Sequence, residues 1–293
     1  MFKSIFVLII VVVSIPAPEM LRADVVMLNP SKDNTLYEVE DGGLSAGSGP
    51  HLFAGPILTG TERRAVVAFD VAGNIPEGST ITLVTLSLEC TMSLSGGGNG
   101  ALYRLTSDWG EGASNTGEIS PGGMGAPSEP GDATWIHTFF PETFWSNPGG
   151  DHVVDSSAET VVGGAGTYVW GPTDAMVDDV TDWLNDPAEN YGWVLIGHGI
   201  SGEAKRYASR ENITVPHRPL LLVEYEPPAK SSFGDCDGDG DVDLADFGSF
   251  QLCFSGAGGG PVDEACDCSD SDGDGDVDLV DFAEFQLVFT GPL

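Results

Sequence analysis

From Asp235 to Asp246 the chain reads "DCDGDGDVDLAD", six aspartates in twelve residues, and "DSDGDGDVDLVD" from Asp270 to Asp281 repeats it at an offset of 35 residues. Carboxylates crowded this closely repel one another unless something neutralises them, and alternation with small residues makes them the donor set of a hard divalent cation. Calcium takes six to eight oxygens at about 2.3–2.6 Å, and a twelve-residue loop supplies them from positions one, three, five, seven, nine and twelve around a glycine at six. Those positions are Asp235, Asp237, Asp239, Asp241, Asp243 and Asp246 around Gly240, then Asp270, Asp272, Asp274, Asp276, Asp278 and Asp281 around Gly275. Position seven is expected to act through its backbone carbonyl and position nine through a water. The expectation is two Ca2+ sites. An acidic low-complexity tail is the competing account, but composition does not twice place glycine at six, valine at eight and Asp-Phe at twelve and thirteen.

The elements around the loops follow from spacing. Phe247, Phe250, Cys253 and Phe254, and their counterparts Phe282, Phe285, Val288 and Phe289, recur at three and four, which predicts a helix with an aromatic face leaving each loop. Val242 and Val277, at position eight, can pair the two loops. No helix enters either, because "PPAKSSFG" precedes the first and "GPVDEACDCS" the second. Cys236, Cys253, Cys266 and Cys268 allow three disulfide connectivities. Cys253–Cys266 is the expected bridge, since it would pin the repeats together. A zinc site at "CDC" lacks a second pair of ligands.

Charge and the first residues bear on compartment and partners. With 45 acidic and 11 basic residues the net charge is −34, and the sixteen acids beyond Lys230 have no basic neighbour in sequence. Nucleic acid, which needs a basic face, is not an expected partner. "MFKSIFVLIIVVVSIPAPEMLRAD" joins Lys3 to an apolar run from Ile5 to Val13, with Ala23 at a cleavage position and Ala17 as a second. That pattern is an export signal over residues 1–23, and the run is short for a bilayer span. An uncleaved anchor remains the alternative. No membrane span is expected once the signal is removed, and the protein is placed outside the cell or at its surface.

"PPAKSSFG", residues 227–234, reads as a linker between a region of residues 24–226 and the tail of 235–293. The first region has the texture of a β-sandwich: "ITLVTLSLECTM" alternates through Leu86, Leu88, Cys90 and Met92, and "ALYRLT", "TYVW", "GWVLIG" and "RPLLLVEY" are short apolar runs bounded by turn residues. "SGGGNG" after the first run reads as a hairpin loop, and Cys90 as a buried free thiol. "DAMVDDVTDWLNDP" is the exception, with Met176, Val180, Trp183 and Leu184 on one helical face and Pro187 as the stop. A sugar-binding face would show aromatic rings beside polar groups. "DATWIHTFFPETFW" concentrates Trp135, Phe139 and Trp145, of which Trp145 is the candidate platform and Trp135 and Phe139 the candidate core; Trp109, beside glycine, is a second candidate. No pair of acids has a spacing that singles it out for glycoside hydrolysis, no G-x-S-x-G elbow is present, and the five histidines are scattered.

Two resemblances add to this reading. "DNTLYEVEDGGLSAGSGPHLFAG", "RRAVVAFDVAGNIPEGSTITLVTLSL", "DWGEGASN", "TWIHTFFPETFWSNPGGD" and "KRYASREN…RPLLLVEY" resemble, in that order, exported DNRLRE domains, related to carbohydrate-binding modules of the disaggregatase-related type. The resemblance implies a jelly-roll-like β-sandwich, carried by secreted bacterial proteins and linked in some members to polysaccharide. Residues 235 to 290 resemble type I dockerins, which bind cohesin modules, and this implies a small α-helical domain of two calcium loop-helix units. Where dockerins carry a small hydroxyl pair before position twelve and Lys-Arg further along, this chain has Leu244-Ala245 with Gln251-Leu252, then Leu279-Val280 with Gln286-Leu287. The expectation is an exported, non-catalytic protein with a polysaccharide-binding sandwich and a docking tail. A calcium-stabilised surface or matrix protein and a polysaccharide-active enzyme are the alternatives.

Overall fold

The computed structural model describes residues 23–93, 96–117, 123–228, 233–238 and 241–290. The expected signal, apart from Ala23, lies outside them, as do residues 229–232 of the linker and Asp239 and Gly240 of the first acidic loop. The chain divides into two compact units, Met1–Pro227 and Pro228–Leu293.

The first unit is mainly β. Its strands are β1 (Asp24–Leu28), β2 (Lys32–Tyr37), β3 (Leu44–Ser45), β4 (His51–Ala54), β5 (Arg63–Ala68), β6 (Thr80–Ser93), β7 (Gly98–Arg104), β8 (Ala126–Pro127), β9 (His137–Phe139), β10 (Thr143–Phe144), β11 (Ala158–Val162), β12 (Gly166–Trp170), β13 (Trp193–His198), β14 (Lys205–Ala208) and β15 (Leu220–Glu226). One sheet runs β1-β15-β6-β14-β4, with β12 also on β6, and the other runs β11-β7-β13-β5-β2. Their pairings are antiparallel, as expected for a β-sandwich. Leu86, Leu88, Leu221 and Val223 from the first sheet join Ala65, Val67, Leu102, Trp193 and Leu195 from the second in one core cluster. β6 and β7 lie in different sheets, so they do not form the hairpin expected at "SGGGNG"; Gly98, Asn99 and Gly100 of that stretch are the start of β7, and Ser95 lies outside the described residues.

A register shift alters the inward pattern of β6. Arg206 pairs with Met92 and Tyr207 with Cys90, which leaves Thr91 as an extra residue. A bulge of this kind turns the residues beyond it to the other face. Cys90 is buried and free, whereas Met92 is 38% exposed, out of the core that simple alternation assigned it.

The second sheet is covered on both faces, which explains why "WVLI" of β13 is apolar without alternation. Trp193 and Leu195 face the first sheet, while Val194 and Ile196 join Leu36, Val66, Trp109 and Trp145 in a separate cluster. Helix α1 (Asp174–Asn185) closes the main core with Met176, Val180, Trp183 and Leu184, and Trp183 stacks edge-on at 4.5 Å from Trp193. Thr173 caps it through a bond from the Met176 amide, and Pro187 follows its end. Among the described residues no helix is long and apolar enough to cross a membrane.

Candidate metal centres in the C-terminal unit

The second unit is built on its repeat. Helices α2 (Leu244–Cys253) and α3 (Leu279–Val288) each begin on the aspartate at loop position nine. Asp243 accepts from the Ala245 amide and Asp278 from the Val280 amide, both at 2.7 Å. Asp246 and Asp281, at position twelve, reach back to the amides of Asp243 and Asp278 and complete a capping box in each helix. A carboxylate at this point also answers the positive end of the helix dipole. Position nine is therefore a helix cap as well as a loop residue.

Between the helices lies a very small core of Val242, Phe250, Val277 and Phe285. The two valines share it as expected, but their backbones pair elsewhere. Thr290, just past α3, donates its amide to Val242 at 3.0 Å, and Ser255, just past α2, donates to Val277 at 3.0 Å. The hydroxyls of Thr290 and Ser255 accept in return from the Val242 and Val277 amides. Each loop is thus clasped by the end of the other unit's helix. Ser255 and Thr290 stand at the repeat's own 35-residue offset, a signal present in the sequence but hidden by the difference between Ser and Thr. Two disulfides reinforce the arrangement: Cys253–Cys266, the expected bridge, and Cys236–Cys268, which ties the first loop to the connector.

The carboxylates gather into groups whose oxygens lie within 4.8 Å of one another. In the first loop these are Asp235, Asp237 and Asp246, and again Asp241, Asp243 and Asp246. In the second they are Asp270, Asp272 and Asp274, and separately Asp276, Asp278 and Asp281. Positions one, three and twelve thus converge in the first loop. In the second, position twelve lies with seven and nine, apart from one, three and five. Asp276 is 8% exposed, with Oδ2 held by the Gly258 amide and Oδ1 without a hydrogen-bond partner among the described residues. Gly275 at position six takes φ +88°, a conformation that favours glycine.

Electrostatics point the same way. Burial works against the charge on Asp246, but amides of Asp243, Asp237 and Cys236 outweigh it and hold the carboxyl below its usual range. Asp281 is held low in the same sense, against burial, by the amides of Asp278 and Ser271 and by the Ser271 hydroxyl. Asp272 is raised by desolvation and by the charges of Asp274, Asp281 and Asp270, although the Asp274 amide opposes this. All-oxygen donors, an orphaned buried oxygen and mutual repulsion suit a hard cation and not a thiophilic one. These clusters could hold a metal ion.

The expected sugar platform is not there. Trp145 is 5% exposed, its indole N–H spent on the Thr134 carbonyl at 2.9 Å, and Trp109 is 1% exposed, its N–H on the Tyr191 carbonyl. Both fill the outer cluster of the second sheet, where their large apolar area is worth more than it would be in water. Trp135 and Phe139 are half-buried; Trp135 packs against that cluster beneath the Arg64 guanidinium, 4.9 Å from its ring. The exposed aromatic of this segment is Phe144. A cleft of about 350 Å3 opens instead beside α1, with a mixed lining that includes Arg104, Thr106, Asp182, Trp183, Asn185 and Glu189. Neither models of known families nor curated proteins give a match to this chain.

Proposed function

We propose that this is an exported, non-catalytic protein whose tail is a calcium-dependent, dockerin-like docking module and whose β unit, a jelly-roll-like sandwich, binds polysaccharide. The observation that carries the reading is the outer surface of the tail. Two shallow apolar clefts, of about 350 and 280 Å3, are lined by Phe247, Phe250, Phe254, Leu279 and Phe282, and by Phe282, Phe285, Phe289, Leu244 and Phe247. The 35-residue offset exchanges one set for the other. Leu244, Leu252, Leu279 and Leu287 are each more than 70% exposed in a unit with a tiny core. Apolar surface left open next to charged loops is the pattern of a partner-binding face.

Calcium would be held by Asp235, Asp237, Asp239, Asp241 and Asp246, and by Asp270, Asp272, Asp274, Asp276 and Asp281. It would relieve their repulsion and fix the loops that orient α2 and α3. The partner is a cohesin-type module, met by leucines and glutamines in place of hydroxyls and basic residues. On the β unit the cleft beside Arg104 takes over from the tryptophans as the place for sugar hydroxyls. Burial of Trp109 and Trp145 favours a second reading for that unit, a spacer or adhesive domain with no glycan site.

Binding of the full chain to a panel of cohesin modules, with calcium and with chelator, tests the docking. Calcium-dependent capture that Leu244→Asp with Leu279→Asp abolishes is expected, and capture by none of the panel removes the proposal. A polysaccharide panel with Arg104→Ala as control decides between the two readings of the β unit. Turnover of any polymer would overturn the non-catalytic assignment.

A further inference from the structure

We infer that Asp33, Glu111 and Glu211 form a cation site in the β unit, separate from the acidic loops, for a hard divalent cation of which calcium is the best fit. The three residues come from β2, the segment after β7 and the turn after β14, yet each presents one carboxylate oxygen within 4.8 Å of the others. Two oxygens bound to one calcium at about 2.3–2.6 Å can be no farther apart than about 5 Å. The spacing allows the three to share one ion.

Asp33 sets this group apart from acids that merely lie near one another at a surface. It is fully buried, with Oδ2 held by the Arg210 amide at 2.7 Å, while Oδ1 is buried and has no hydrogen-bond partner among the described residues. Oε2 of Glu211 is orphaned in the same way. A buried carboxylate oxygen without donor or counter-ion is costly.

The charge count agrees. Arg210 is the basic group inside the cluster, with Nε 2.6 Å from Oε1 of Glu211 and 3.3 Å from Oε1 of Glu111, and its other end donates to the Ser31 carbonyl. Lys32, the next base along the strand, is engaged with Asp108 and the Trp109 carbonyl. Three carboxylates against one guanidinium leave two negative charges, the complement of one divalent ion. The cluster is also held rigidly: Oε1 of Glu111 accepts the Asp33 amide at 2.9 Å, and its backbone carbonyl accepts Asn34 Nδ2 at 2.8 Å. An ion here would lock β2 to two segments 78 and 178 residues downstream of Asp33, with solvent waters completing its shell at the partly exposed glutamates.

Tryptophan-sensitised emission separates this site from the acidic loops, because all six tryptophans precede residue 194 and no Trp or Tyr follows Tyr225. Terbium, a lanthanide that takes calcium's oxygen ligands, emits when a nearby tryptophan is excited. Trp109 is placed for this, two residues from Glu111 and with the Lys32 ammonium 4.4 Å from its ring centroid. Titration of the full chain with terbium, excited in the tryptophan band, is expected to give saturable emission that calcium displaces at lower concentration than magnesium. Glu111→Gln and Glu211→Gln, both partly exposed and able to fold where Asp33→Asn could not, should each lose most of the emission while the β unit keeps a cooperative unfolding transition. Asp235→Ala with Asp270→Ala should leave it unchanged. Absent emission, emission that survives both glutamate substitutions, or emission that calcium does not displace would each overturn the site; displacement by magnesium first would overturn the assignment to calcium.

Discussion

The two units solve the problem of stability in opposite ways. The β unit draws on a long-range core that joins both sheets and α1, with Trp170, Trp183 and Trp193 essentially fully buried. Among the described residues the tail's core cluster has four buried side chains, beside two disulfides and a dense set of like charges. A domain that small does not bury enough surface to fold by the hydrophobic effect alone and needs staples. The difference teaches where to look for regulation: the tail, with two disulfides and crowded carboxylates beside a small core, offers redox state and cations as levers, whereas the β unit rests chiefly on packing.

The largest effect that sharpens this contrast is metal removal. Calcium that binds the folded tail and not the unfolded chain makes folding and binding one equilibrium. Chelation of the full chain is expected to abolish amide protection in α2 and α3, and Asp235→Ala with Asp270→Ala to reproduce it. The β unit should keep a cooperative transition at a somewhat lower temperature, as its own proposed ion leaves. Calorimetric titration should count two calcium ions in the tail. Helices that stay protected in excess chelator would erase the contrast.

Next in size are the buried indoles. Trp145→Ala leaves a cavity and strands the Thr134 carbonyl that its N–H now satisfies, so a loss of about 3 to 5 kcal/mol from the β unit is expected. Trp135, half-buried under Arg64, should cost less when truncated. Denaturant melts followed in the β unit measure both, and the tail's calcium affinity should not move. A larger loss for Trp135→Ala than for Trp145→Ala would contradict the packing described for the outer cluster.

These tryptophans show what was legible in the sequence and why. The candidate metal loops could be read because their donors are consecutive in the chain: alternation, glycine at six and the second copy all lie inside a twelve-residue window. The texture of the sandwich and helix α1 were legible for a similar reason, since periods of two and near 3.6 are local. Whether Trp145 faces solvent is not local. Val194 and Ile196, which β13 turns outward, leave an apolar face that something must cover, and the segment carrying Trp109 and Trp145 does so. Met92 was misplaced by a single extra residue opposite β14. Asp33, Glu111 and Glu211 meet only because three distant segments do, so no spacing announces them.

Disulfide removal ranks third and should again fall on one side of the comparison. Closing loops of 32 and 13 residues restricts the unfolded chain by about 3 to 4 kcal/mol each in the chain-entropy account. Cys236→Ser with Cys268→Ser should weaken calcium binding to the tail, because part of the binding energy is then spent on ordering the first loop. Saturating calcium should restore the helices. The β unit, whose one cysteine, Cys90, is buried and free, should respond to reductant hardly at all. Equal sensitivity of both units to reductant in thermal melts would argue against the division.

The smallest effect compares helix caps. In the β unit, α1 starts on a neutral hydroxyl, with Thr173 Oγ1 accepting from the Met176 amide at 3.2 Å while donating to the Ser157 carbonyl at 2.6 Å. In the tail, Asp278 caps α3 with a carboxylate that also belongs to the cluster with Asp276 and Asp281. Thr173→Ala should cost about 1 kcal/mol, with Thr173→Ser retaining most of the stability, and the loss should be the same with calcium or chelator present. Asp278→Asn keeps a capping oxygen but removes a charge, so its stability loss should be small in chelator and grow with calcium as the site's affinity falls. The calcium dependence of the loss, read from paired denaturant melts, is the discriminating quantity. A calcium-dependent penalty for Asp278→Asn beside a calcium-independent one for Thr173→Ala would show the tail's caps serving both helix and ion; equal penalties under both conditions would reduce them to ordinary caps.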